Sequence, residues 1–346
     1  MTQRELPRRH RTDCRGQAGD YRSPRWLPGA HLQTIWSALI APKPRVPLKR
    51  ERFTAPDGDF IDIDFGPAPA SLHSPIWVLF HGLEGSSQSH YARAITAHAT
   101  SLGWQGAVVH FRGCSGELNL APRAYHSGDS DEIDWILRAL HSQHPGRPLV
   151  VSGVSLGGNA LLKWLGERGE DAAFVAAAAA ICPPQDLQAG AESLSRGFNL
   201  SYSEYFLRSL RPKTMAMLAR WPGLVDAERV RRARTFFDFD DAVTAPLHGF
   251  TSCYDYWTRS SCRQYLAGIR RPTLIINARN DPFVPVRALA PLQEVSSSVE
   301  LVYTEQGGHV GFPAPSMPGR FGWVPLRIAE FFADQCSIAP RLLAHD

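Results

Sequence analysis

The stretch Val150-Val151-Ser152-Gly153-Val154-Ser155-Leu156-Gly157-Gly158-Asn159-Ala160-Leu161-Leu162 decides how this chain is read. A β-branched run leads into it and an apolar, helix-forming run leads out, with glycines clustered at the join. A strand that turns this tightly into a helix leaves no room for side chains on the flanks of the turn. Gly153 and Gly157 therefore fall where a Cβ would clash, and Ser155 between them is pushed above the strands with its hydroxyl at the helix N-terminus. Glycine-x-serine-x-glycine alone arises often by chance. Set between a strand and a helix, it points to an exposed nucleophile.

The surrounding pattern supplies that setting. Upstream, Ile76–Phe80 and Gly106–Phe111 are short continuous apolar runs that read as strands, alternating with helical stretches at Ser89–Leu102 and Asp131–His141. Leu149–Val154 is a further strand, Gly157–Leu165 a helix, and Phe174–Cys182 a strand stopped by Pro183-Pro184. Strands alternating with helices imply a mostly parallel sheet covered on both faces. From Pro183 to about Ile269 the rhythm lapses into helical pieces at Tyr202–Leu210, Thr214–Trp221 and Asp226–Thr235. It resumes with strands at Pro272–Ala278 and Ser298–Thr304 and a helix near Val324–Phe332. The insertion reads as a helical cap over the strand ends, where ligands sit in open α/β sheets.

Before the first core strand, Arg50–Thr54 and Phe60–Phe65 flank Asp57-Gly58, the signature of an antiparallel hairpin. Leu32, Ile35, Trp36, Leu39 and Ile40 recur at helical spacing. They read as a short helix packed on the main domain, or alternatively as an amphipathic helix that touches lipid beside the nearby arginines. The expected organisation is a basic, disordered tail at 1–25, core at 26–182, cap at 183–269, core again at 270–335, and a tail at 336–346.

Composition narrows the class. The chain has 346 residues, 44% hydrophobic and 20% charged, which is globular and excludes a disordered protein. The formal net charge of +4 is already accounted for by residues 1–25, where Arg4, Arg8, Arg9, Arg11, Arg15, Arg22 and Arg25 face Glu5, Asp13 and Asp20. The remainder is neutral, so no nucleic-acid face is expected. No run approaches the length needed to span a bilayer, and no apolar core of a signal peptide follows the N-terminal charge. The cysteines Cys14, Cys114, Cys182, Cys253, Cys262 and Cys336 are scattered and read as reduced thiols of a cytoplasmic protein.

A serine hydroxyl needs a base, and the base needs an orienting acid. At this kind of turn they follow in the order serine, acid, histidine. Asp281, in Asn280-Asp281-Pro282-Phe283-Val284-Pro285, lies just past one late strand, 126 residues after Ser155. His309, in Gly307-Gly308-His309-Val310-Gly311-Phe312, lies just past the next, 28 residues further on. Both fall on loops at strand C-termini and can converge on Ser155. Asp238, Asp240 and Asp241 lie in the cap and are less suitably placed, while His81 and His110 come too early. His141 and His144 lack the company a metal would need. Cys114 has no elbow around it and no base implied nearby, and Arg112 reads as a brace for loops.

Acyl transfer also builds an oxyanion, which calls for two backbone N–H donors. Leu156, the residue after the nucleophile, supplies one. The other belongs to His81-Gly82-Leu83-Glu84-Gly85-Ser86, with Leu83 assigned and Gly82 an alternative.

Taken together, several motifs resemble the YheT-like branch of the α/β-hydrolases. They are His81-Gly82-Leu83-Glu84-Gly85-Ser86, Phe111-Arg112-Gly113-Cys114-Ser115-Gly116-Glu117, Tyr125-His126-Ser127-Gly128 and Gly153-Val154-Ser155-Leu156-Gly157-Gly158-Asn159. Asp240-Asp241-Ala242-Val243-Thr244-Ala245-Pro246, Gly307-Gly308-His309-Val310-Gly311-Phe312 and His31-Leu32-Gln33-Thr34 complete the set. The similarity runs from about Trp26 to Phe332. It implies an α/β-hydrolase fold and a Ser155–Asp281–His309 triad. It also implies esterase-like activity on short or medium acyl chains, with eukaryotic relatives acting on phospholipids.

The expected activity is therefore serine carboxylic ester hydrolysis through an acyl-enzyme, with no cofactor and no metal. Its substrate is a small ester, lipid-like esters included. Membrane contact is at most peripheral, through residues 1–40, and oligomeric state is not readable. The cap aromatics Phe198, Tyr202, Tyr205, Phe206, Trp221, Phe236, Phe237, Tyr254, Tyr256 and Trp257 would line an apolar acyl pocket or hold the cap down. The same triad would serve an acyltransferase, and a ligand-binding sensor with residual turnover is the reading from a different class.

Overall fold

A computed structural model describes residues 20–336. Its centre is an eight-stranded sheet in the order β1-β2-β4-β3-β5-β6-β7-β8. The strands are β1 (Lys49–Thr54), β2 (Phe60–Phe65), β3 (Ile76–Phe80), β4 (Gln105–Val109), β5 (Leu149–Val154), β6 (Val175–Ile181), β7 (Thr273–Ala278) and β8 (Val299–Thr304). β1 and β2 form the antiparallel hairpin, β2 joins β4 antiparallel, and from β4 to β8 every pairing is parallel.

The helices follow in chain order as α1 (Ala30–Ile35), α2 (His90–Ser101), α3 (Ser130–Gln143), α4 (Leu156–Arg168), α5 (Leu187–Leu194) and α6 (Leu200–Arg220). Then come α7 (Ala227–Arg232), α8 (Phe236–Phe239), α9 (Ala245–Leu247), α10 (Cys253–Ser260) and α11 (Trp323–Gln335). The continuous apolar strands are explained by burial on both sides. Ile76, Val78 and Phe80 pack with α3 and α4, while Trp77 and Leu79 pack with α2 and α11. Truncating a fully buried side chain here, such as Leu161 of α4, costs about 2–5 kcal/mol. Asp129 caps α3 by accepting from the Glu132 amide.

Three features extend the sequence reading or change it. The hairpin strand β2 is buried at all six of its residues. Asp62 and Asp64 are covered by a bidentate pair with Arg52 and another with Arg50 from β1, and Asp64 also accepts from Ser87 and His110. The two helical pieces expected around Pro212 are one helix, α6, which runs through the proline. Pro212 has no N–H to donate back, but Leu207, Thr214 and Leu218 on either side of it are buried and hold the helix on course.

The third change concerns the N-terminus. Residues 1–19 of the basic tail lie outside the described residues, but 20–25 are bound rather than loose. Tyr21 packs against Phe312 and Trp323, each ring pair 5.3 Å apart, and its hydroxyl donates to the Pro313 carbonyl. Of the six cysteines, Cys14 lies outside the described residues and the other five are free thiols. Among the described residues no helix is long and apolar enough to cross a membrane.

Helices α5–α10 lie between β6 and β7, at the C-terminal ends of the parallel strands. Asn159 of α4 ties this layer down. Its amide donates to the Ser127 and Ser260 carbonyls at 2.8 and 2.7 Å, and its carbonyl accepts from the Cys262 amide at 2.9 Å.

Candidate active site

The turn between β5 and α4 has the geometry that the glycines require. A Cβ on Gly153 would lie 2.4 Å from the Gly157 carbonyl oxygen, and one on Gly157 would lie 2.5 Å from that of His81 and 2.6 Å from that of Phe80. Ser155 sits at the apex with φ 51° and ψ −116°, a left-handed conformation a serine rarely adopts. Such strain costs about 1–3 kcal/mol and persists only because the packed strand and helix impose it.

Three side chains from distant parts of the chain meet above this turn. His309 Nε2 lies 2.9 Å from Ser155 Oγ, and His309 Nδ1 lies 2.8 Å from Asp281 Oδ2. A carboxylate only accepts, so Nδ1 carries the ring proton and Nε2 is the acceptor facing the serine hydroxyl. The second oxygen of Asp281 accepts the Phe283 and Val284 amides at 2.8 and 3.2 Å, which fixes the carboxylate plane. The Phe283 ring stacks on the imidazole with centroids 4.1 Å apart. His309 and Asp281 are both buried, while Ser155 is partly open.

The backbone donors can also be sorted. The Gly82 amide donates to the Tyr91 hydroxyl and the Glu84 amide to the Tyr125 hydroxyl, both at 2.9 Å. Between them the Leu83 amide has no hydrogen-bond partner among the described residues. Leu156, in the first turn of α4, likewise has no intrahelical acceptor. The loop is locked by its surroundings. Glu84 (φ 53°) accepts from Tyr125 and pairs with Lys213 of α6 at 2.8 Å.

The segment before β1 reads in the sequence as a helix and as part of the family resemblance, but the role of its polar side chains does not follow from that reading. Gln33 Oε1 accepts the Gly307 amide at 2.9 Å and an Asn280 N–H at 3.1 Å. The Thr34 hydroxyl accepts the His309 amide at 2.9 Å, and Ser37 donates to the Gly311 carbonyl at 2.7 Å. The signal was present in the sequence: a helix whose polar residues share one face, as its apolar residues share the other.

The rival residues serve as supports. His81 accepts the Phe111 amide, and burial pushes its pKa down to about 3. Cys114 is pushed up to about 12 by burial, which leaves it a protonated thiol. Arg112 braces loops, bonded to Asp57, Asp59 and Glu132. Cys182 approaches Asp281 and His309, with ligand atoms within 4.8 Å of one another. Burial raises its thiol far above the usual range, and its sulfur accepts the Val310 amide.

Ser155 and His309 open into a cavity of about 190 Å³ beneath α5, α6, α8 and α10. Its walls include Leu83, Leu156, Leu194, Phe206, Leu210, Phe236, Phe239 and Trp257. Of the cap aromatics, Phe206, Trp221, Phe236, Tyr256 and Trp257 line it. Phe198, Tyr205, Phe237 and Tyr254 are exposed instead.

The α/β hydrolase fold family model matches residues 75–313, from the start of β3 to just past His309. The chain belongs to the α/β-hydrolases. Within them it belongs to the YheT-like branch. It is 36% identical over 310 residues to the Escherichia coli protein YheT, provisionally named an esterase, covering 89% of this chain and 91% of that protein. It is also 30% identical over 296 residues to mouse phospholipase ABHD3, covering 83% of this hydrolase and 72% of the relative. Among solved structures, the Pyrococcus furiosus esterase Pf2001 superposes with TM-score 0.53 at 18% identity, covering 84% and 93% of the two chains, a likeness of fold.

Proposed function

We propose that this hydrolase cleaves carboxylic esters of short to medium acyl chains through an acyl-enzyme on Ser155. The observation that carries the reading is the unbroken line from Asp281 through His309 to Ser155 Oγ, with separations of 2.8 and 2.9 Å, at the floor of an apolar cavity. His309 takes the hydroxyl proton as Ser155 attacks the ester carbonyl. The oxyanion that forms is met by the Leu83 and Leu156 amides, and His309 returns the proton to the departing alcohol. A water activated by the same imidazole then releases the acid. Asp281 holds the tautomer and stabilises the imidazolium.

The cap supports an acyl-chain assignment, because Phe206, Phe236, Phe239 and Trp257 give the cavity an apolar wall. The relatives named esterase and phospholipase support an ester substrate, with lipid esters in range. Residues 183–269 serve as the lid over this pocket.

A series of p-nitrophenyl esters of increasing acyl length tests the reading. The expected result is repeated turnover with a pre-steady-state burst of nitrophenol and a maximum at short to medium chains. A flat profile, or hydrolysis that survives Ser155→Ala, contradicts it.

A further inference from the structure

We infer that the outward face of residues 32–40 is a docking surface for an anionic lipid bilayer. The burial of this segment is inverted relative to an ordinary surface helix. Its polar side chains point inward, with Gln33 1%, Thr34 7% and Ser37 0% exposed, and its large apolar ones point outward, with Leu32 51%, Leu39 66% and Ile40 56% exposed. A helix that merely covered the domain would bury the leucines. The polar side is held inward because it bonds the loop carrying His309, and this leaves Leu32, Leu39 and Ile40 exposed, while Ile35 and Trp36 between them are partly covered, Trp36 by the Trp26 ring.

α1 continues into a π-helical turn over Trp36–Ile40, which carries Leu39 and Ile40 at its end. The stripe continues beyond the helix. His31 lies 4.7 Å from the ring of Phe198 on the cap, which is 57% exposed. Met317, 64% exposed, adjoins Pro318, whose carbonyl accepts from Trp36.

Charge identifies the occupant. Arg22, Arg25 and Arg45 flank the stripe in sequence and are exposed, and none is in an ion pair among the described residues. Between residues 20 and 48 the sole acid is Asp20. Separate exposed apolar side chains, with unpaired arginines before and after them in the chain, match a fluid apolar layer beneath anionic headgroups. They do not form the shaped groove that a protein partner fills. The inference does not rest on the catalytic reading, since soluble-ester hydrolysis and bilayer binding are measured separately.

Co-sedimentation of the full chain with sucrose-loaded vesicles tests it. One set of vesicles is phosphatidylcholine alone and the other is phosphatidylcholine mixed with phosphatidylglycerol. The wild type is expected to bind the mixed vesicles. Leu32→Ser/Leu39→Ser/Ile40→Ser lowers the partition coefficient by about tenfold or more. Hydrolysis of a soluble p-nitrophenyl ester is unchanged in that variant. Arg22→Glu/Arg25→Glu/Arg45→Glu removes the preference for anionic vesicles. Leu39→Glu, at the most exposed of these positions, repeats the loss of binding without asking the fold to absorb three changes. Absence of wild-type binding overturns the inference. So does binding that survives both Leu39→Glu and the triple serine variant, which would place the lipid contact elsewhere. A dimer seen in equilibrium sedimentation and dissolved by the same serines also overturns it, because a second copy would then cover the stripe.

Discussion

The Thr34 hydroxyl accepts the amide N–H of His309 at 2.9 Å, although the two residues lie 275 positions apart. The same hydroxyl donates to the Ala30 carbonyl at 2.8 Å, so it is anchored to α1 before it reaches the loop. The position of the imidazole over Ser155 is therefore set partly by a segment at the opposite end of the chain.

Thr34→Val keeps the shape of the side chain and removes the acceptor. The buried His309 amide then has no partner, which costs about 1–3 kcal/mol of stability. We expect kcat for a soluble ester to fall about tenfold, with KM nearly unchanged. Steady-state kinetics paired with thermal melting checks both effects, and Thr34→Ser should recover most of the loss.

Asp281→Asn tests the orienting acid. The carboxamide oxygen introduced by this change can still accept from Phe283 and Val284, but the new NH2 group would face His309 Nδ1 and favour the tautomer with the proton on Nε2. That nitrogen could no longer accept from Ser155. The expected loss in kcat is on the order of 10⁴-fold with an unaltered circular dichroism spectrum.

Gly157→Ala probes the turn itself. A Cβ there would lie 2.5 and 2.6 Å from two backbone oxygens, and neither can move without displacing β3 or its exit loop. Overpacking of this kind costs roughly 1–3 kcal/mol or more. The variant should melt well below the wild type and lose activity even where it remains folded.

His90 contributes to the pH dependence alongside His81, His126 and His248, whose pKa values burial also lowers. It is buried in α2, and desolvation pushes its pKa down to about 4, although its Nε2 bonds the Val310 carbonyl at 2.8 Å. The unfolded chain takes up the proton near pH 6.5 and the folded chain does not, so this contribution is complete above 6.5 and is lost as pH falls toward 4. The contribution is on the order of 3 kcal/mol for a shift of this size. Melting temperatures measured from pH 8 to about 4 should fall, and His90→Gln should flatten that slope.

Ser155, Asp281 and His309 were legible in the sequence because each sits at a position fixed by the fold's order: a glycine-flanked elbow, then an acid and a histidine after successive late strands. Leu83 is assigned from the loop sequence with Gly82 as the alternative; what the sequence does not carry is that the Tyr91 and Tyr125 hydroxyls take the Gly82 and Glu84 amides on either side of it. Asp62 and Asp64 look solvent-facing in an alternating strand, and only the neighbouring strand brings Arg50 and Arg52 to cover them. Leu32, Leu39 and Ile40 look like a core stripe. The competing demand comes from Gln33, Thr34 and Ser37, whose partners lie more than 200 residues downstream. Local periodicity finds elements and elbows, but it does not decide between two faces of a helix when distant backbone groups bid for the polar one.

Covalent labelling by a fluorophosphonate, mapped by mass spectrometry, is the most direct measurement. The phosphonate adduct is expected on the peptide carrying Ser155, absent in Ser155→Ala and strongly slowed in His309→Ala. An enzyme that hydrolyses esters while its adduct maps to another residue, or while Ser155 stays unlabelled, would contradict the account.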